Sequence, residues 1–441
     1  MQERHSIYLF SRNNLKIIIV LNDFRITKLP NGTRIVSEYI PHVKSFSLGF
    51  WFNVGARDEN NLNNGISHFI EHMLFKGTKR RSAKRISEEI EAYGGYLNAF
   101  TSKEHTCYYT KGLSENLSRT FNVLSDMIQN PLFKESHVKK EAGVILDELR
   151  DVEDNPEELI FDKFEEVIFN GNRLSMPVIG KENNIKKFNS LELHKYHQNR
   201  YDTGKLLITA SGLVDHNKLV KLAEKNIDRR KPGIKSNRTK FVSHKARDLV
   251  LDRDFNQIHT IIGRATAGFN NKRRYKLKVL STLLGEGSSS RLFLAVREKL
   301  GITYQITSFL NSYFDVSAFG VYFSTNAKQT NRVNDIVLKE FRKLREIKIK
   351  DKELEKVKTY IKGNILLSLE NTTNRMIRMA NSLLYFNRII LVEEFLEEIN
   401  TITADDILKT ANELLDEKKL VKVILQKNTI IGLELHVNQE T

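Results

Sequence analysis

The chain has 441 residues, 40% of them hydrophobic, with 6 prolines and charged side chains making up 28%. That is more than one hydrophobic core holds, so two domains are expected, and the composition excludes a disordered or disulfide-stapled protein. The formal net charge of +16 is dispersed among acids and forms no stripe with interleaved aromatics, which argues against a nucleic-acid interface.

The charge leaves two readings open: a solvated, lysine-rich surface, or a chamber that favours acidic or phosphate-bearing ligands. Cys107 is the only cysteine, so no intramolecular disulfide is expected and a metal site must draw on histidine and carboxylate. A reducing, cytoplasmic setting fits that usage. The apolar run 15–21 contains Lys16 and is far too short to cross a bilayer, so neither a transmembrane helix nor a signal peptide is expected.

The first 24 residues read as an irregular extension. Residues 27–40 read as two strands around the turn Pro30-Asn31-Gly32, and 45–54 as a further alternating strand. Asn63 and Asn64 are placed to cap a helix over 65–75 that Gly77 can end, and a second helix over 82–93 closes at Gly94 and Gly95. Residues 96–111 alternate and are β-rich, with a turn or bulge at 101–104, and a helix over 113–129 runs up to Pro131. The pattern is helical over 136–152 and 156–169, and 205–213 is a continuous apolar strand.

Residues 229–247 combine Pro, Gly, Ser and many basic side chains with little periodicity, which reads as an exposed tether. Beyond it, a strand over 257–264, helices over 272–284 and 290–300, a break at Gly301 and strands over 304–311 and 317–324 repeat the order of the first half. The expected fold class is therefore α+β. Two homologous units, each an antiparallel-rich sheet with helices packed on it, would span 25–228 and 248–430, ahead of a tail over 431–441.

In the first helix, GISHFIEHMLF sets His68 and His72 four residues apart, on one face, where two imidazoles can converge on a metal. Glu71 lies on the same side and can take a proton from water beside that metal. A third ligand must come from another element. Glu141 and Glu148, in KKEAGVILDELRD, are seven residues apart and so share nearly one helix face. One would enter the coordination sphere while the other orients a histidine or the water. Taken alone, the same residues also fit hydrogen-bonded histidines and a solvated pair of acids. Helix 272–284 has no corresponding His or Glu residues, so only the first half carries this chemistry. GEGSSS is not followed by GK[ST] and reads as a turn with a serine cap ahead of a helix, not as a phosphate loop.

HFIEH, with Glu148 seventy-six residues beyond His72, together with EAGVILDELRDVEDNPEELIFD, resembles the pitrilysin, insulysin and mitochondrial processing peptidase family over residues 25 to 425. The resemblance implies a zinc endopeptidase acting on peptides or unfolded segments. One zinc per chain would be held by His68, His72 and Glu148, with Glu71 as catalytic base and Glu141 as the additional acid needed for activity. In GGYLNAFTSKEHTCYY, Asn98 and Ala99 fall on the family's substrate-pairing edge strand. In GEGSSSRLFLAVREKLGITYQI, Arg297 and Tyr304 fall on its substrate-binding pair.

Large members of the family hold four such units in a clamshell, so this chain would form half of one. The resemblance then implies a homodimer in which Arg297 and Tyr304 serve the partner's zinc. A catalytically silent scaffold subunit of the same fold is the alternative. The stretch NRLSMPVIG departs from the family, with Asn172 and Ser175 where relatives often show His and Gly.

Overall fold

The computed structural model describes residues 7–10, 17–21, 23–228, 238–303 and 305–427. The 1–24 region, expected to be irregular, contains two strands, β1 (Ile7–Phe10) and β2 (Ile17–Leu21), which pair antiparallel. The short apolar run that could not span a membrane satisfies its backbone in a sheet instead. Then come β3 (Phe24–Lys28), β4 (Arg34–Tyr39) and β5 (Ser45–Phe52). Helices α1 (Ile66–Leu74) and α2 (Ala83–Glu91) precede the hairpin of β6 (Tyr96–Thr101) and β7 (Thr106–Leu113). Thr101 therefore ends a strand, and the turn begins one residue later than its sequence suggests.

Helices α3 (Leu117–Gln129), α4 (Glu135–Asp154) and α5 (Pro156–Ile168) follow as expected, and Asn155 caps the last with its side chain. The short α6 (Glu182–Ile185), α7 (Ser190–Arg200), β8 (Leu207–Gly212) and α8 (His216–Asn226) complete the first half. The second half contains β9 (Leu249–Asp252), β10 (Ile258–Ala267), α9 (Arg274–Gly285), β11 (Gln305–Ser312) and β12 (Val316–Thr325). It closes with α10 (Thr330–Glu346), α11 (Asp351–Ser368), α12 (Thr372–Phe386), α13 (Val392–Asn400), α14 (Ala404–Leu414) and β13 (Val421–Gln426). The helix expected over 290–300 takes π-helical form over Phe293–Glu298.

The two sheets show the repeat directly. The first runs β1-β2-β3-β4-β8-β5-β7-β6 and the second β11-β12-β10-β13-β9. Read from its last strand, the second sheet matches β4-β8-β5-β7-β6 strand for strand, with one parallel pair, β4·β8 or β9·β13, and antiparallel pairing elsewhere. Two α+β units of the same topology are thus present.

The cores do not divide at the tether. Leu159, Ile160 and Phe164 of α5 pack on Ile261, Tyr322 and Val423 of the second sheet. In return, Met376, Met379 and Leu383 of α12 pack on Trp51, Cys107 and Leu207 of the first. Each sheet has two apolar faces, and a face left to water would forfeit roughly 1.5–3 kcal/mol for each large side chain on it. Each unit therefore covers the other's second face with a helix.

Of the expected tether, 229–237 lies outside the described residues, and the part that follows is pinned. Arg238 Nη2 donates to Asp58 Oδ2 at 2.6 Å, and the Phe241 amide donates to Asp315 Oδ2 at 2.7 Å. Arg57 sits in the same seam. Its guanidinium donates to Glu104 at 2.7 Å, to both Asp315 oxygens at 2.6 and 3.0 Å, and to the Thr239 carbonyl at 2.9 Å. Buried charge thus joins β6–β7, the β11–β12 turn and the pinned segment. Among the described residues no helix is long and apolar enough to cross a membrane.

Candidate metal centre

The helix α1 begins in an unexpected way. Asn63 and Asn64 do not cap it; the residue before its first turn is Gly65, at φ +100°. The buried carboxylate of Glu59 takes the capping role, accepting from the Gly65 amide at 2.7 Å, the Ser67 amide at 2.8 Å and Asn64 Nδ2 at 2.9 Å. An anion at a helix N-terminus satisfies otherwise orphaned donors and meets the positive end of the dipole. Burial pushes the Glu59 carboxyl up from its ordinary value, against the lowering effect of those hydrogen bonds. A side chain on Gly180 would meet the Gly65 Cα at 2.4 Å, so two glycines allow the strand of chain after α5 to press on the start of α1.

From this anchored start, His68 and His72 project one turn apart, with ring centroids 4.7 Å from each other. The helix α4 crosses alongside and brings Glu148 to both rings, with Oε1 3.7 Å from His68 Nε2 and Oε2 3.4 Å from His72 Nε2. One ligand atom from each of the three residues lies within 4.8 Å of the others. A tetrahedral zinc with bonds of about 2.0–2.1 Å spaces its donors by roughly 3.4 Å, and two imidazoles with one carboxylate are a donor set that zinc accepts. The residues present therefore fit a zinc ion and leave a position open.

Glu141 does not reach the cleft. It is 3% exposed, and its carboxylate accepts from His72 Nδ1 at 3.0 Å and pairs with Lys76 Nζ at 2.7 Å. That contact holds a proton on His72 Nδ1 and turns Nε2 toward Glu148, as outer-sphere carboxylates do for metal-binding histidines. The geometry makes Glu141 a positioning residue instead of a group in touch with reacting atoms. Replacing it, Glu141→Gln, is expected to lower zinc affinity about 10–100-fold while leaving the fold intact. Chelator-competition titration beside a thermal melt would check this, and unchanged affinity would contradict the assignment.

Glu71 lines the same cleft and accepts from Thr101 Oγ1 at 2.5 Å. Burial lifts its carboxyl above the usual range, opposed by that hydrogen bond and by His72. His68 is held down to about 4, first by burial and then by the charge of His72. For His72 burial acts downward too, but hydrogen bonds to Glu141 and Glu148 prevail and raise it to about 9.

The strand β6 lies at the free edge of the first sheet, and Ala99 lines the cleft. Asn98 Oδ1 accepts from the Ala99 amide at 2.8 Å, occupying a donor that an added strand would use. Arg297 falls in the π-helical segment, beside its own Phe293 ring at 5.1 Å, and is not among the residues lining this cleft. Tyr304 lies outside the described residues; its neighbour Gln305 donates to both oxygens of Glu157 at 3.1 and 3.2 Å.

Sequence reasoning missed Thr101, Glu59 and the acids Glu157, Glu158 and Asp162, which line the 760 Å³ cleft together with Glu71 and Glu148. The signal was the run DVEDNPEEL beside the third ligand. This wall is acidic, so the net positive charge of the chain does not describe its cleft.

A repeated α+β unit that carries an HxxEH helix and a distant glutamate in one cluster defines a chain of a metallopeptidase family. The chain belongs to peptidase family M16. The family model described as insulinase (peptidase family M16) matches residues 34–182, and that of the peptidase M16 inactive domain matches 187–361. A Rickettsia felis protein named "Uncharacterized zinc protease" is 35% identical over 89% of this chain and 95% of its own length. Bacillus subtilis YmxG, also named "Uncharacterized zinc protease", is 33% identical over 89% of this chain and 96% of its own. The crystal structure of a protease from Helicobacter pylori shares the fold at a TM-score of 0.85, with 22% identity over 91% of this chain and 99% of that one.

Proposed function

We propose that this chain is a zinc-dependent endopeptidase that hydrolyses peptides or extended protein segments. His68, His72 and Glu148 hold one zinc per chain, and Glu71 is the proton-transfer group. The observation that carries this reading is the Glu71 carboxylate, steadied by Thr101 in the cleft lined by His68 and Glu148, whose ligand atoms converge with that of His72.

When bound, zinc would supply Lewis acidity toward water and toward a carbonyl oxygen. Glu71 takes the proton of the attacking water and returns it to the leaving amine. Edge strand β6 offers main-chain hydrogen bonds to an extended substrate through Ala99, once the Asn98 side chain releases the Ala99 amide. Because Arg297 stands apart from this cleft, its contact with substrate, and that of Tyr304, would come from a second copy of the chain in a homodimer with composite sites.

The acids along the wall refine the substrate class. Glu157, Glu158 and Asp162 share this wall, with Glu158 accepting from Asn155 and Glu157 from Gln305. Such a wall favours a basic side chain close to the scissile bond. The test is cleavage of a quenched, unstructured peptide library by zinc-loaded protein. Expected are cuts clustered next to Lys or Arg, loss of activity with a chelator and recovery with zinc. Binding of zinc with no cleavage of any peptide would instead support the scaffold reading.

A further inference from the structure

A second cavity, of about 490 Å³, lies across the second sheet from the metal cleft. The alternation of β11 fixes its side. Phe309 meets Phe161 of α5 edge to face, with centroids 4.7 Å apart, whereas Leu310 joins the opposite core beneath α9 and lines this cavity. Its other walls come from α9 on the second sheet and from α12, which packs on the first, so an occupant would touch both units.

The lining is mainly apolar and aromatic, with Tyr275, Phe386 and Phe395 on its walls, yet two guanidinium groups open onto it. Arg274 lies 4.2 Å from the Tyr275 ring centroid and 4.6 Å from that of Phe386, and it donates to the Phe269 carbonyl and the Tyr275 hydroxyl. Arg378 donates to the Ile390 and Leu391 carbonyls, both at 3.4 Å. Among the described residues neither arginine has a carboxylate in ion-pair contact; Glu393 and Glu38 act on Arg378 only through space. Both guanidinium groups are half-buried beside apolar walls, where they favour an anionic head group, and a cavity of this size suits a small molecule, within roughly 300–1,000 Å³.

We propose that this cavity binds a carboxylate with an apolar tail, of the fatty-acid class. The head group accepts from Arg378 or Arg274, and the tail lies along Tyr275, Phe386 and Phe395. A hydrophilic anion would leave those rings uncovered, and a cation would meet two like charges. The proposal does not depend on the peptidase reading.

The test titrates the full chain with dodecanoate and dodecyltrimethylammonium below their micelle concentrations and with dodecan-1-ol below its solubility limit, followed by calorimetry. Expected is saturable binding of one dodecanoate per chain, with the alcohol weaker by about tenfold or more and no saturable binding of the ammonium. Arg378→Gln should weaken dodecanoate by about tenfold and leave the alcohol unchanged, at an unaltered thermal midpoint. A diazirine-bearing fatty acid should photolabel wild-type protein within residues 269–275, 310–312 or 365–395, which locates the site even if the variant fails to fold. Equal binding of all three amphiphiles, no saturable binding, or labels confined to other segments would overturn the proposal.

Discussion

Replacing Glu71 by Gln is expected to leave zinc content unchanged and to lower kcat for peptide cleavage by about 10²–10⁴-fold, the usual contribution of a positioned general base. The amide keeps the shape of the carboxylate and can still accept from Thr101 Oγ1, so the cleft stays in place. What it loses is the capacity to take a proton. Glu71 is not one of the three residues whose ligand atoms cluster, so the metal does not need it. KM should change little, since the group acts on water and the leaving amine and does not grip the substrate. Steady-state cleavage of a single peptide, with metal analysis of the same samples, checks this. A variant that keeps kcat within about tenfold of wild type would remove Glu71 from the mechanism.

The second large effect concerns stability. Arg57→Met is expected to cost about 3–5 kcal/mol, because it leaves the carboxylates of Glu104 and Asp315 buried without their cation. Those two side chains are 1% and 5% exposed, against 2% for Arg57. The Arg57 hydrogen bond and charge hold the Asp315 carboxyl below its usual range although burial acts upward. Arg238 offers only partial compensation, since its closest pairing is with Asp58. The loss falls on the seam that joins the units, so amide exchange should accelerate first in the β11–β12 turn and around Phe241. Denaturant titration gives the magnitude, and an unchanged midpoint would show that the charges find other partners.

Much of this architecture is legible in the sequence because periodicity reports burial. The stripes of α3 to α5 follow directly from which side chains face a core, whereas β5, read as alternating, is buried on both faces because a helix covers each side of its sheet. The convergence of His68, His72 and Glu148 is legible too, since four-residue spacing on α1 and seven-residue spacing on α4 are rotations of a helix. What stayed hidden depends on contacts between distant segments. Asn63 and Asn64 look like caps, yet Glu59 outcompetes them because a loop carries its carboxylate onto the first amides of α1. The exchange of α5 and α12 between sheets cannot be seen in either helix alone, because an apolar stripe does not name its partner. Glu141 reads as a second acid on the face of Glu148, and only the crossing of α1 and α4 turns it toward His72 Nδ1. The π-helical turns around Arg297 carry no glycine or proline to announce them.

The central claim is that the chemistry of this chain begins from zinc held by His68, His72 and Glu148. Zinc-edge X-ray absorption on protein loaded with one equivalent of zinc tests it most directly. The account predicts a low-coordinate site with nitrogen and oxygen donors at about 2.0–2.1 Å, the multiple-scattering signature of two imidazoles and no sulfur. Histidine scattering should be reduced to that of one ring in His68→Ala. A six-coordinate, oxygen-only shell, or a spectrum unchanged by that substitution, would contradict it.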